Sequence, residues 1–435
     1  MATITALTGR RVWDSRGRPT VEAEVVLDTG ARGRAIAPAG ASRGLREAVD
    51  LRDGGPHLGG RDVGRALAAL REVIAPALTG LDARDQQAVD AAIRALDPSR
   101  MKERLGGNAT TAVSLAVLHA GAAAKGVPLW RHVADLAGTV PLLPLPEIQI
   151  FGGGAHAGRR VDIQDFMVMV PGATSFDEVM EITHDIYFAA GDIMARRGRL
   201  AGVADEGGWW PEFSSNEEAL ETLVEAITLA SEKPGERVVI SLDVAASEFG
   251  QAGRYRLALE DRALDTGGMI DLLGRWLDAW PIAAIEDPLG EDDRAGMVEF
   301  TRRFGDKVQV IGDDYLVTDA ALVRAAVQDG ACNAVLVKVN QAGTVTEALD
   351  AAAAARGAGW AAVVSARSGE SEDVSISHIA TGLGAGLLKV GSFTRSERMA
   401  KWNECLRIAD SADAPPFAGA RGLRFRGVSR SDGGS

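Results

Sequence analysis

The sequence predicts an α/β protein whose larger, C-terminal part forms a β/α barrel, and three observations carry that reading. The chain has 435 residues, too many for one ordinary core, so two domains are expected, one of them of barrel size, about 250 residues or more. Beyond residue 147, apolar strand-like runs alternate with helical stretches, which implies parallel strands joined by crossover helices. Five of those runs end in a charged residue: SLD at Asp243, AIED at Glu286, IGD at Asp313, LVK at Lys338 and LLK at Lys389. Strands buried on both faces read as continuous apolar runs, and the C-terminal ends of barrel strands open onto the active site.

In chain order, residues Arg11 to Asp28 alternate as strands around a turn at Asp14 to Pro19, and Ala31 to Ile36 extends the sheet. Residues 61–77 and 84–96 carry apolar side chains at three- and four-residue spacing, and Ala109 to Lys125 is an alanine-rich helix suited to close packing. The proline-marked segment PLLPLPE, Pro141 to Glu147, is the candidate boundary, and the chain divides into residues 1–138 and 139–435. In the second part, helices are predicted at Asn216 to Ser231, Glu291 to Phe304, Ala320 to Asp329 and Val345 to Ala358, with no internal repeat. From Ala418 onward, a Gly-, Arg- and Ser-rich stretch reads as a loose tail.

A net charge of −13 and a pI near 5.1 argue against nucleic acid as a partner. An anionic substrate remains compatible if a metal and a few basic residues reverse the local sign. No run of 18 apolar residues and no signal-like N-terminus occur, so a cytoplasmic enzyme with no membrane partner is expected. Cys332 and Cys405 form no CxxC pair and read as buried apolar residues.

Asp243, Glu286 and Asp313 would converge as hard oxygen ligands at neighbouring strand ends, which suits Mg²⁺ and leaves coordination positions for substrate. Taken singly, each acid reads equally as a helix cap or an arginine partner. Lys338 and Lys389, near a metal and near each other, would lose protons more readily and serve as general base and electrostatic clamp. Salt bridging to the same acids is their alternative role. A second group comprises His156 in the glycine turn GGGAHAG, Asp165 in QDFM, and Glu206 in ADEGGWWP. The segment PAGASRG, Pro38 to Gly44, has the composition of a mobile lid.

Over nearly its full length the chain resembles the enolase family, Mg²⁺-dependent lyases that interconvert 2-phosphoglycerate and phosphoenolpyruvate. The segments that carry the resemblance are DSRGRPTVEAEV, PAGASRGLREAVDLRD, LGGNATTAVSLAV, HAG, DEGG, SLDVAASEF, IEDP, GDD, LVKVNQAGTVTE, SGESED and RSERMAKWNE, in the family order. The resemblance implies an α+β N-terminal capping domain on a modified TIM-type β/α barrel. It also implies one or two Mg²⁺, a small phosphorylated or phosphonate acid as substrate, and a homodimer or octamer contacting through the motifs of Arg10 and Glu397.

By position, Asp243, Glu286 and Asp313 match the ligands of the first Mg²⁺ and Lys338 matches the base that removes the proton α to the carboxylate. Glu206 matches the acid assisting departure of the 3-hydroxyl, and Lys389 matches the lysine holding the substrate carboxylate. Arg367 and Ser368 match the phosphate-binding pair. Ser42 matches the lid residue that joins a second Mg²⁺. His156 and Asp165 fall in the family's catalytic loop motifs.

Departures from the family pattern cluster on one side of the site. Ordinary enolases read SHRSGE where this chain reads SARSGE, so a histidine is replaced by Ala366. QEFM becomes QDFM, which shortens a Glu to Asp165, and NGGSHAG becomes GGGAHAG, with Gly152 for Asn and Ala155 for Ser. Withdrawing a carboxylate by one bond matters where errors near 1 Å cost about 100-fold in rate. The metal triad and both lysines are kept, while the phosphate and leaving-group side is altered. That distribution favours a specialised enzyme resembling the carboxyphosphonoenolpyruvate synthases of phosphonate antibiotic pathways. The alternatives are a housekeeping hydratase of glycolysis and an inactive scaffold that kept the fold.

Overall fold

The computed structural model describes residues 1–41, 44–210 and 212–423. Strands β1 (Ile4–Trp13), β2 (Pro19–Leu27) and β3 (Arg32–Ile36) form an antiparallel sheet in that order, with Asp14 organising the turn by accepting from the backbone N–H of Arg16 and Arg18. The alanine-rich helix Gly107–Lys125 covers this sheet and is buried almost throughout. Close approach depends on Gly33, where a Cβ would collide with the backbone at Ala116 and Ala120. The helical stretch predicted at 61–77 runs as Gly64–Ala69, a π-helical turn at Leu70–Ile74, and Ala75–Leu78; Asp85 caps the next helix, Gln86–Leu96.

Strands β4 (Leu145–Gly152), β5 (Asp165–Met169) and β6 (Val239–Asp243) begin the barrel. A side sheet of β7 (Gly250–Gln251), β8 (Arg254–Leu257) and β9 (Arg262–Asp265), absent from the sequence reading, interrupts it. Then β10 (Ile282–Glu286), β11 (Gln309–Gly312), β12 (Ala334–Val337), β13 (Ala361–Ser365) and β14 (Leu387–Ser392) close it against β4. Helix starts are capped by the side chains of Ser175, Ser215, Asp265, Asp293, Asp319 and Thr344, each accepting a backbone N–H; such caps contribute about 1 kcal/mol apiece.

One expectation is corrected: the barrel is not all parallel. β5 pairs antiparallel with both β4 and β6. The segment 153–164 between β4 and β5 holds only a short 3₁₀ turn at Gly154–Ala157, whereas the crossover that joins parallel neighbours is usually an α-helix. The reversal places the first residue of β5, Asp165, at the rim where its neighbours end, opposite Gly152 and Asp243.

A second correction concerns the tail. Ala418 and Leu423 are buried around a 3₁₀ turn at Gly419–Gly422, so the segment through 423 packs on the barrel, where Gly422 lies against Gly386 and Leu145. The rest of the predicted tail lies outside the described residues. Among the described residues no single helix is long and apolar enough to cross a membrane.

Candidate active site

Strand register determines which side chains meet at the rim. Asp243 and Glu286 are partners on β6 and β10, Lys389 pairs with Ser365 on β13 and Glu147 on β4, and Asp313 and Lys338 directly follow β11 and β12. The Lys389 ammonium lies 2.6 Å from Asp243 and 2.8 Å from Glu286, and 3.5 Å from Asp165. Lys338 Nζ lies 2.5 Å from Asp313. The three predicted ligands therefore share one rim, divided between two lysine partners.

These ion pairs set the protonation of the lysines in the metal-free protein. Burial alone would lower the pKa of Lys389, but Asp243 and Glu286 hold it well above its ordinary value; Lys338 is raised likewise, mainly by Asp313. Without a cation, the lysines are the counterions of the acids rather than proton-poor amines.

On the opposite wall His156 lies between two acids, Nδ1 3.2 Å from Asp165 Oδ1 and Nε2 3.7 Å from Glu206 Oε1. Burial disfavours its cationic form, yet Glu206 and Asp165 outweigh that and raise its pKa to about 9. The two acids thus favour the imidazolium form of His156, and His156 draws the pKa of Asp165 down against the opposing effect of burial. Arg367 donates to Glu47 at 2.9 and 3.3 Å and to Asn340 at 3.2 Å, while Ser368 Oγ accepts from the Ala41 N–H at 2.9 Å. Ala366 lines the same narrow polar cleft, of about 20 Å³, together with His156, Gln164, Asp165, Glu206, Asp243, Lys338, Arg367, Ser368 and Lys389. Ser42 lies outside the described residues.

Sequence reading missed the groups that hold these side chains in place. Asp287 accepts the N–H of Asp313 at 2.9 Å and of Asp314 at 2.7 Å, so the acids after β11 are arranged by the residue after β10. Gln164 donates to Asp243 at 3.0 Å, and Gln341 donates to Asp313 at 2.8 Å and to Glu47 at 3.3 Å. Glu147 and Gln149 face inward in the fully buried run LPEIQIFG. A polar residue inside an otherwise apolar buried strand is a signal that was available and unused.

The donor set fits a hard dication. Asp243, Glu286 and Asp313 offer only carboxylate oxygens, and Glu286 Oε1 is buried with no hydrogen-bond partner. Burial, followed by the nearby Asp243, raises the Glu286 pKa well above normal; Asp287 and Asp314 are raised by burial and Asp313. Among the described residues, the nearby cations do not outweigh burial at Glu286, Asp287 and Asp314. Among the described residues, the sets whose ligand atoms lie within 4.8 Å of one another are Asp287, Asp313 and Asp314, and His156, Asp165 and Glu206, rather than the predicted triad as a whole.

Fold and rim together define the class, an α/β-barrel enzyme with a buried site of carboxylates and lysines. Residues 140–425 match the family model described as enolase, C-terminal TIM barrel domain, and residues 4–133 match enolase, N-terminal domain. The chain belongs to the enolase family, and it is an enolase-type enzyme.

Proposed function

We propose that the protein abstracts the α-proton of a phosphoglycerate-like acid and expels its β-hydroxyl, on a substrate whose phosphorus carries an enlarged, phosphonoformyl-type substituent. The product is then a carboxyphosphonoenolpyruvate-like compound of a phosphonate pathway. The observation that carries the specialised part is Ala366: a methyl group lines the cleft beside Arg367 and Ser368, where ordinary enolases place an imidazole. A missing donor and the space it leaves suit a larger phosphorus group.

In this reading residues 1–138 cap a barrel of 139–435; Asp243, Glu286 and Asp313 would hold Mg²⁺, and Ser42 would join a second ion. Bound there, Mg²⁺ supplies positive charge opposite a substrate carboxylate that gains a second negative charge on enolisation. Lys338, as the free amine, takes the α-proton. Lys389 pairs with the substrate carboxylate, and Arg367 and Ser368 hold the phosphorus oxygens. Glu206 relays a proton from the His156 imidazolium to the departing β-hydroxyl, which leaves as water. Asp165 holds His156, and His156 holds Glu206, through the ion pairs already described. A homodimer is proposed as well, on the family motifs that hold Arg10 and Glu397.

The deciding experiment compares two reactions with and without Mg²⁺: dehydration of 2-phosphoglycerate, and consumption of a phosphonoformyl-bearing substrate. The expected result is feeble dehydration and Mg²⁺-dependent consumption. Vigorous dehydration of 2-phosphoglycerate by the unmodified protein would return the reading to a housekeeping hydratase.

A further inference from the structure

Gln149, fully buried on β4, touches both parts of the altered wall. Its Nε2 donates to Asp165 Oδ1, and its Oε1 accepts the Gly208 N–H at 2.9 Å. The orientation is forced, because an ionised carboxylate only accepts and a backbone N–H only donates. One carboxamide therefore ties the first residue of β5 to the loop that carries Glu206.

The space for that amide comes from two glycines. A Cβ on Gly152 would lie 3.0 Å from Gln149 Oε1 and 2.8 Å from Ala204 Cβ, and one on Gly208 would collide with Gln149 Oε1. Gly152 is also a position where this chain departs from the family's loop, and Asp165 is another. We infer that Gln149 is the positioning residue for Asp165, and that Gly152, Gln149 and Asp165 form one coupled device. The glycine admits the long amide, which in turn anchors the shortened acid.

The anchoring divides the two oxygens of Asp165. Oδ1 accepts from Gln149 and faces His156 Nδ1 at 3.2 Å, whereas the buried Oδ2 has no hydrogen-bond partner and lies 3.5 Å from Lys389 Nζ. Asp165 lines the cleft, so this open oxygen is placed to accept from a substrate hydroxyl. Gln149 then serves the leaving-group half of the reaction and not α-proton removal, which Lys338 performs across the cleft. This division rests on the proposed enediolate chemistry.

The test follows the phosphonoformyl-bearing substrate with Mg²⁺ in D₂O, with loss of the α-proton signal reporting enolisation and formation of the enolpyruvate product reporting elimination. Gln149→Leu is expected to slow elimination by about 100-fold, the cost of misplacing a reacting group by about 1 Å, and to change exchange far less. Asp165→Glu should also slow elimination, because Gln149 occupies the space a longer acid needs, and the pair Gln149→Asn with Asp165→Glu should recover much of it. Equal slowing of both steps, or no recovery in the pair, overturns the inference. If the unmodified protein exchanges no α-proton, the enediolate reading fails instead, and the coupling is judged by stability. The urea midpoint shifts of Gln149→Leu and Asp165→Asn should then exceed, when added, the shift of the double variant; strict additivity overturns the inference.

Discussion

The Glu47 carboxylate receives both terminal nitrogens of Arg367, at 2.9 and 3.3 Å, and both side chains are buried. An acid from the N-terminal part thus holds a barrel arginine of the proposed phosphorus site. Through Gln341, which bridges Glu47 and Asp313, the same acid is linked to the partner of the proposed base.

Removing one partner of a buried ion pair leaves the other charge uncompensated, which typically costs about 3–5 kcal/mol. Glu47→Ala should lose stability of that order in urea denaturation. Inorganic phosphate should raise the melting temperature of this variant more than that of the unmodified protein, because an anion can take the vacated place beside Arg367. Equal shifts in both proteins would mean that Arg367 does not receive the anion.

Lys338→Ala should abolish exchange of the substrate α-proton with solvent, followed by NMR in D₂O, while Mg²⁺ binding measured calorimetrically persists. The lysine is the counterion of Asp313 in the free protein, so its removal takes away a cation that competes for the acid. Exchange that survives in Lys338→Ala would reassign the base.

Mg²⁺ should stabilise the unmodified protein, by about 2.7 kcal/mol at a free concentration one hundred times Kd. Glu286→Gln should lose most of that increment, because it removes a charge from the rim where Glu286 Oε1 lies unpartnered. Thermal unfolding with and without Mg²⁺ reads both. An increment that persists in Glu286→Gln would move the cation to another acid set.

Ala366→His should restore the imidazole that ordinary enolases carry, and it fills the cleft beside Arg367 and Ser368. Under the proposed function this variant gains 2-phosphoglycerate dehydration and binds the phosphonoformyl-bearing substrate more weakly, by about tenfold for 1.4 kcal/mol of lost complementarity. The opposite pair of changes would remove Ala366 as the specificity determinant.

Acid sensitivity should arise in part away from the site, at His132. Burial first, and the charge of Lys125 second, depress its pKa to about 4 from an ordinary 6.5, and Lys125 Nζ donates to Nδ1 at 3.1 Å. Between those values the unfolded chain binds a proton that the folded chain refuses, so stability contributed by neutral His132 is present above pH 6.5 and lost as pH falls toward 4. The slope approaches about 1.4 kcal/mol per pH unit for one such group. Replacing His132 by Gln should flatten the urea-denaturation profile across that window.

The sequence by itself determined the barrel and the chemistry of its rim. Strands buried on both faces admit few polar residues, so Asp243, Glu286, Asp313, Lys338 and Lys389 stood out as ends of apolar runs, and the structure gathers them at one rim. The departures at Ala366, Asp165 and Gly152 were likewise readable in one dimension. Only the tertiary structure decided how those groups are held. The reversal of β5 follows from the absence of a crossover helix, and it alone brings the start of that strand to the rim. The partnerships of Glu47 with Arg367 and of Gln341 with Glu47 join residues hundreds of positions apart. No local period records such a contact, because charge pairing depends on distance in space and a strand's pattern reports only which face is buried.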